Sequence, residues 1–220
     1  MKRVVAIDGP SGSGKTTIAK LIAEELGFHY LDTGALYRAI ALAFRDSMVE
    51  PDDPDDALQE VLGRTMVTFS NGRVFLNGND VSDSIRSKEI DHYSSVFSGR
   101  KIVRDFLFHI QRDAALRHDL VVEGRDTTTV IFPDAQKKIF LDASVEERAE
   151  RRYLQYKEKN SDLSMEEAKM QIIERDRRDE SRDLAPLQRA GDALLVDSSG
   201  ISVEQVKDTI LDFVREGHKS

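Results

Sequence analysis

The chain has 220 residues, 40% of them hydrophobic and 33% charged, so it can bury a sizeable core and is not disordered throughout. It contains no cysteine, which excludes disulfides, thiolate metal sites and a cysteine nucleophile. A net charge of −8 argues against wrapping long nucleic acid, and no apolar stretch approaches the ~20 residues that cross a bilayer.

Residues Arg3 to Ile7 (RVVAI) form a β-branched run without alternation, which predicts a strand covered on both faces. Asp8 ends that run too early for a signal peptide, and a soluble cytoplasmic protein is the expectation. After a glycine-rich loop, Ile18, Leu21, Ile22 and Leu26 recur at helical spacing and Gly27 stops the pattern. Residues 28–31 read as a short strand, and a second helix carries Leu36, Ile40, Ala43 and Phe44. PDDPDD at 51–56 breaks the composition, and a short helix follows. Two strand-like runs then flank Asn71-Gly72, a dipeptide that favours a hairpin because both turn positions need positive φ. An antiparallel hairpin in a chain that otherwise alternates strand and helix predicts an insertion at about 46–90.

A long helix is predicted over 101–118, with Ile102, Phe106, Ile110 and Ala114 on one face. Leu120–Gly124, Lys137–Ala143 and Ala193–Ser199 read as further buried strands. Helices at about 145–158, 165–182 and 202–216 complete the chain, with polar EKNSDLS (158–164) as a mobile tip between the first two. The expected class is α/β: one domain over 1–220, with a parallel five-stranded sheet, helices on both faces and a small antiparallel insert.

The loop Asp8–Thr17 reads DGPSGSGKTT and meets the phosphate-loop pattern Gly9-x-x-x-x-Gly14-Lys15-Thr16, with a strand before it and a helix after. Pro10, Ser11, Gly12 and Ser13 fill the loop, and Thr17 opens the helix behind it. Its glycines let successive N–H groups converge on an anion, and the helix N-terminus adds partial positive charge. Lys15 would reach the β- and γ-phosphates, and the Thr16 hydroxyl would serve Mg²⁺. The motif names ATP or GTP and a fold; it does not separate kinase, ATPase and switch GTPase. No Asn-Lys-x-Asp guanine reader is present. In LVVEGRD the strand-end acid is followed by Gly-Arg, which suits an anionic acceptor better than a hydrolytic water. A small-molecule kinase leads this reading.

Arginines cluster in two places, Arg148, Arg151 and Arg152, then Arg175, Arg177, Arg178 and Arg182. Arg175, Asp179 and Arg182 share one helical stripe by their spacing. Such stripes suit a small, highly anionic ligand, and equally a solvated face, since Glu147 can pair with Arg151 at i,i+4. His29, His92, His109, His118 and His218 show no metal-ligand spacing.

IDGPSGSGKTT, LDTGALYR (31–38), EGRDTTTVIFPDA (123–135), KIFLDAS (138–144), EERAERR (146–152) and ERDRRDESRDLAPL (174–187) together resemble the bacterial cytidylate kinases, a branch of the nucleoside-monophosphate kinases, over nearly the whole length. The resemblance implies phosphoryl transfer from ATP, with Mg²⁺, to CMP and dCMP; with no exposed apolar stripe that demands a partner, a monomer is expected, and neither nucleic acid polymer nor membrane is an expected partner. Kinases of UMP or of another small metabolite, and a nucleotide-binding regulator, are the alternatives. It further implies a monophosphate-binding region at 34–104 and a helical lid at 146–178. Arg38 and Arg125, past strand or turn ends on the loop side of the sheet, become acceptor-phosphate clamps. Ser95, Arg104 and Asp126 become base readers with Thr33 nearby, and Asp126 would accept from the cytosine amino group. Arg175 and Asp179 fall to the acceptor ribose and Arg182 to the phosphate region. Arg148, Arg151 and Arg152, with Gln155, resemble the lid over ATP; Lys15, Arg125, Arg152 and Arg182 are the implied catalytic cations. Two departures stand out. Thr128 takes the place of a glycine beside the base site, where it is expected to narrow the pocket or alter ribose tolerance. Lys101 stands where a proline is expected upstream of Arg104.

Overall fold

A computed structural model of the chain describes residues 2–70, 72–158 and 163–216. Asn71 of the predicted turn, residues 159–162 of the predicted tip and His218 lie outside the described residues. Five parallel strands, β1 (Val4–Asp8), β2 (His29–Asp32), β6 (Leu120–Gly124), β7 (Lys137–Asp142) and β8 (Leu194–Asp197), form the main sheet in the order β2-β6-β1-β7-β8. Helices α1 (Lys15–Leu26), α2 (Thr33–Asp46), α5 (Lys101–Arg117), α6 (Val145–Glu158), α7 (Met165–Glu180) and α8 (Val203–Arg215) alternate with these strands.

The unalternated apolar run of β1 has a direct cause. Val4 and Ala6 face a core shared with α2 and α5, whereas Val5 and Ile7 face a second core shared with α1 and α8. Leu120 and Val122 of β6 join the first core and Val121 the second. A strand covered on both faces has no polar positions to alternate. Burying each such aliphatic side chain contributes roughly 1.5–3 kcal/mol.

Between α2 and α5 lie α3 (Asp55–Gly63), a three-stranded antiparallel sheet of β3 (Val67–Ser70), β4 (Arg73–Leu76) and β5 (Asn79–Asp80), and α4 (Lys88–Phe97). Val67, Val74 and Leu76 of the small sheet merge into the α2 core. Helix α4 is not foreseen from the sequence, although Ser87 caps it by accepting from the Ile90 N–H at 3.2 Å. Helix α5 opens at Lys101, its first helical residue. That position tolerates proline because its N–H has no helical partner, and for the same reason it tolerates lysine, so the departure leaves the helix start intact. Helix α7 ends at Glu180, two residues before the predicted stop, and Asp179 is buried in its last turn.

Candidate active site

Strand ends on one edge of the sheet open into a cleft of about 890 Å³. Ser11–Thr17, Thr33, Arg38, Ser95, Arg104, Arg125, Asp126, Arg152, Arg175, Asp179 and Arg182 all line it. The sequence-predicted residues are thereby brought together from six helices and the loops between them, with three exceptions. Gly9 and Pro10 lie beneath the loop, not on the cleft wall, and Arg148 points elsewhere.

The loop is shaped by what surrounds it. A Cβ on Gly9 would stand 2.0 Å from the Leu141 carbonyl oxygen, so only glycine lets β1 turn beside β7. No side chain caps the first turn of α1. Lys15 folds back over its own loop, donating from Nζ to the Pro10 carbonyl at 2.6 Å and to Ser13 Oγ at 3.2 Å. Burial, with Arg125 adding to it, lowers the Lys15 pKa to about 7 against the pull of Glu123 and Asp8. Burial and the nearby Asp32 charge push the Glu123 carboxyl up, and Tyr30 donates its hydroxyl to it.

The wall of the cleft beyond β2 and β6 is organised by carboxylates. Asp32 caps α2 by accepting from the Ala35 N–H at 2.9 Å, and its other oxygen holds Arg38 at 3.0 Å. Thr33 Oγ1 donates to the Glu123 carbonyl at 2.8 Å. A Cβ on Gly124 would meet Thr33 Oγ1 at 2.6 Å, so glycine is what lets β6 run under α2. Arg125 Nε reaches Asp179 at 2.8 Å, and Arg182 donates to Ser98 Oγ at 2.9 Å. Arg104 bonds the buried Asp126 and the Ser98 carbonyl, and Ser95 Oγ is buried without a partner. Burial pushes the Asp126 carboxyl up, partly offset by Arg104. Arg38 Nε, Arg152 Nε, Arg175 Nε, Arg182 Nη2 and the Tyr37 hydroxyl are likewise buried and unpartnered. Buried donors without acceptors are costly, so a ring of them around one cleft fits a polyanionic ligand.

Two expectations need correction. Arg148 is buried: it bonds Asp176, the Ala143 carbonyl at 2.9 Å and the Ser11 carbonyl at 3.1 Å. It braces the loop from behind, because Gly12 packs directly against its backbone, and it does not line the cleft. Its neighbour Arg151 does face the cleft and pairs with Glu147 at 2.7 Å, as the i,i+4 spacing allows. Thr128 does not narrow the pocket. It lies in a π-helical turn over Thr127–Ile131 and turns inward to Asp8. Its N–H and Oγ1 donate to Oδ2 at 2.7 and 2.6 Å, and Thr127 donates twice to Oδ1.

Sequence reasoning missed Asp91, Asp32 and Tyr37, all on the cleft wall. Asp91 precedes Ser95 by one helical turn, and recognising α4 would have placed both on one face. Asp32 carried the signal of a helix cap before an apolar run.

The chain matches the family model "Cytidylate kinase" over residues 5–216. It is 49% identical to the cytidylate kinase of Thermodesulfovibrio yellowstonii over 98% of this chain and 99% of that one. Identity is 48% to that of Thermosipho melanesiensis, covering 96% of each chain. It is 46% to that of Geobacter sulfurreducens, over 99% of this chain and 94% of the other. The fold also matches the crystal structure of an uncharacterized protein from Eubacterium ventriosum, at TM-score 0.56 and 13% identity over 98% of this chain and 99% of that one. With a family match from one end of the sheet to the other and nearly half the residues identical to its members, the chain belongs to the cytidylate kinase family.

Proposed function

We propose that this protein transfers the γ-phosphoryl group of ATP to CMP, and to dCMP, releasing CDP or dCDP and ADP. Membership of the cytidylate kinase family supports this reading. The observation that carries it is the buried Asp126, held by Arg104, on the wall of the same cleft as the unpartnered Ser95 Oγ and the phosphate loop. A carboxylate in that place accepts from the cytosine 4-amino group, whereas uracil would oppose it with a carbonyl. A mismatched buried polar group discriminates strongly.

On this reading the loop Gly9–Thr17 cradles the β- and γ-phosphates, and Lys15 spans from them to the incoming phosphate. Arg38, Arg125 and Arg182 hold the acceptor phosphate, Arg175 and Asp179 the ribose, and Ser95, Arg104 and Asp126 the base, with Thr33 anchoring the strand end. Arg152, with Arg151, brings charge from the lid at 146–178; residues 34–104 form the monophosphate-binding region. Ile201, Val203 and Val206 offer the apolar wall past the loop against which an adenine packs. Transfer is largely dissociative and the acceptor is already ionised, so no general base is needed. Positioning and charge neutralisation supply the rate.

The residues present fit Mg²⁺. Thr16 and Glu123 put hard oxygen donors on the cleft wall beside Lys15. Among the described residues no cluster of three or more His, Asp or Glu side chains could hold a metal. When bound, the ion would neutralise charge on the phosphates. No described helix is long and apolar enough to cross a membrane. A cytoplasmic monomer acting on free nucleotides, with no polymer and no membrane as partner, completes the reading.

A coupled ADP-release assay against CMP, dCMP, UMP and AMP tests it. CMP and dCMP are the expected acceptors, and Asp126→Ala is expected to cut kcat/KM for CMP by about two orders of magnitude or more. No acceptor-dependent ADP would end the kinase reading. A preference for UMP or AMP, or unchanged CMP kinetics in the variant, would end the cytosine assignment.

A further inference from the structure

One carboxylate sits at the centre of the arginine cluster. Asp91 projects from α4, and Arg175 Nη1 lies 2.6 Å from each of its oxygens. Arg152 Nη2 is 3.1 Å from Oδ2, and Arg38 Nη1 is 4.0 Å from Oδ1. The three arginines come from three helices, α2, α6 and α7, so a single side chain ties α4 to all of them. Burial pushes the Asp91 carboxyl up, but the charges of Arg175, Arg152 and Arg38 outweigh it and hold the group well below the usual carboxylate range. Each of these guanidiniums still keeps a buried Nε without a partner.

That pattern is half of a phosphate site. A carboxylate brings one charge and two oxygens; a phosphate monoester brings nearly two charges and three oxygens. Three guanidiniums packed this closely repel one another unless an anion sits among them. Asp91 is the anion that all three share, beside Asp32 at 3.0 Å from Arg38 and Asp179 at 4.0 Å from Arg175 Nε, and the three buried Nε atoms remain without a hydrogen-bond partner. We propose that Asp91 is a resident anion: it holds Arg38, Arg152 and Arg175 until nucleotide binds, then yields Arg38 to the acceptor phosphate, Arg175 to the acceptor ribose and Arg152 to the phosphoryl group in transfer. It touches no reacting atom and is a positioning residue. Its charge keeps the arginines ordered, and it opposes any anion that arrives. A doubly charged phosphate overcomes that opposition; weaker anions do not. The inference rests on reading this end of the cleft as the acceptor-phosphate site.

The test is calorimetric titration of the full chain, without nucleotide, with inorganic phosphate and separately with CMP. Asp91→Asn keeps the shape and removes the charge. It is expected to bind phosphate about fivefold tighter or more, and CMP in the same direction. Asp91→Glu restores the charge and is expected to bind within about twofold of the original protein. Glu89→Gln, which removes an exposed charge from the same helix, is the control and should change nothing. Repeating the titrations in a Lys15→Met background separates anions held by the loop. Should the asparagine variant not fold, Asp91→Ser carries the same comparison. A purely structural role predicts weaker binding of both ligands together with a lower Tm. Equal or weaker phosphate binding by folded Asp91→Asn or Asp91→Ser would overturn the proposal. If phosphate tightens as expected but UMP or AMP is the better acceptor, the cytidine reading falls and the role of Asp91 stands. If CMP is phosphorylated yet phosphate does not tighten, the reverse holds.

Discussion

Binding a nucleotide should draw a proton out of solution, and the reason is Lys15. Its side chain is 5% exposed, and its ammonium rests on the Pro10 carbonyl and Ser13 Oγ alone. Burial first, and Arg125 second, lower its pKa from 10.5 to about 7. That difference corresponds to about 5 kcal/mol against the charged form. Phosphate oxygens beside the ammonium reverse the balance and return it to full charge. Well above pH 7 most of the nucleotide-free protein lacks this proton, so uptake on binding is largest there and falls away as the pH drops below 7. Calorimetry with ADP, in buffers of differing ionisation enthalpy, counts these protons directly. Omitting divalent metal keeps Glu123, whose carboxyl burial pushes up, from releasing a proton of its own. Lys15→Met should abolish most of the uptake. The sign for folding follows from the same shift. Between about 7 and 10.5 the unfolded chain holds a proton that the folded chain has lost, so this group makes stability rise with pH across that window. No uptake at pH 8, uptake that fails to grow from pH 6 to 8, or equal uptake in Lys15→Met would refute the reasoning.

Other outcomes follow from particular contacts. Arg148→Met strands Asp176 and two carbonyls, and should cost roughly 3–5 kcal/mol in urea unfolding. Arg152→Ala should instead lower kcat about a hundredfold with little change in unfolding, and a normal kcat would return Arg152 to a purely structural role. Thr128→Val removes one hydroxyl from Asp8 and should cost about 1–3 kcal/mol, leaving the dCMP:CMP ratio of kcat/KM unchanged; a shifted ratio would put Thr128 back at the pocket. Gly9→Ala places a Cβ on the Leu141 carbonyl and should destabilise by about 3 kcal/mol or more, so an unmoved Tm would discredit the loop geometry.

Much of this was legible because the signals were local. The strand at Leu120–Gly124 and the helix at Val145–Glu158 follow from runs and spacing within a dozen residues. So does the phosphate loop, whose glycines and lysine act through backbone geometry. Arg148 and Thr128 were misread for a common reason. Arg148 lies three residues from Arg151 and Thr128 two from Asp126, both on the cleft wall, and periodicity cannot say which way a residue turns at the end of an element. Arg148 turns back to Asp176, 28 positions on, and Thr128 to Asp8, 120 positions back. Asp91 was invisible for a second reason. Its helix interrupts an insert whose apolar residues pack upward into the α2 core, so no clean stripe announced it.

The order of the strands accounts for the order of the substrates. Thr33 and Arg38 follow β2, Arg125 and Asp126 follow β6, the phosphate loop follows β1, and Arg151 and Arg152 follow β7. In space these strands run β2-β6-β1-β7, so the edge of the sheet passes from proposed acceptor to donor to lid without a crossing. The exchange is possible only because β6, far along the chain, inserts between β2 and β1. Asp8 pairs in register with Gly124, and the two loops leave the sheet side by side. Asp8 then fastens them, taking four hydrogen bonds from Thr127 and Thr128 just past Asp126. Neighbouring strands lie about 4.8 Å apart. On the proposed reading, the phosphoryl group therefore has to move about one strand spacing, from the loop after β1 toward the arginine after β6. Weakening the Asp8 link should therefore loosen the distance between the two substrates before it loosens the grip on either one.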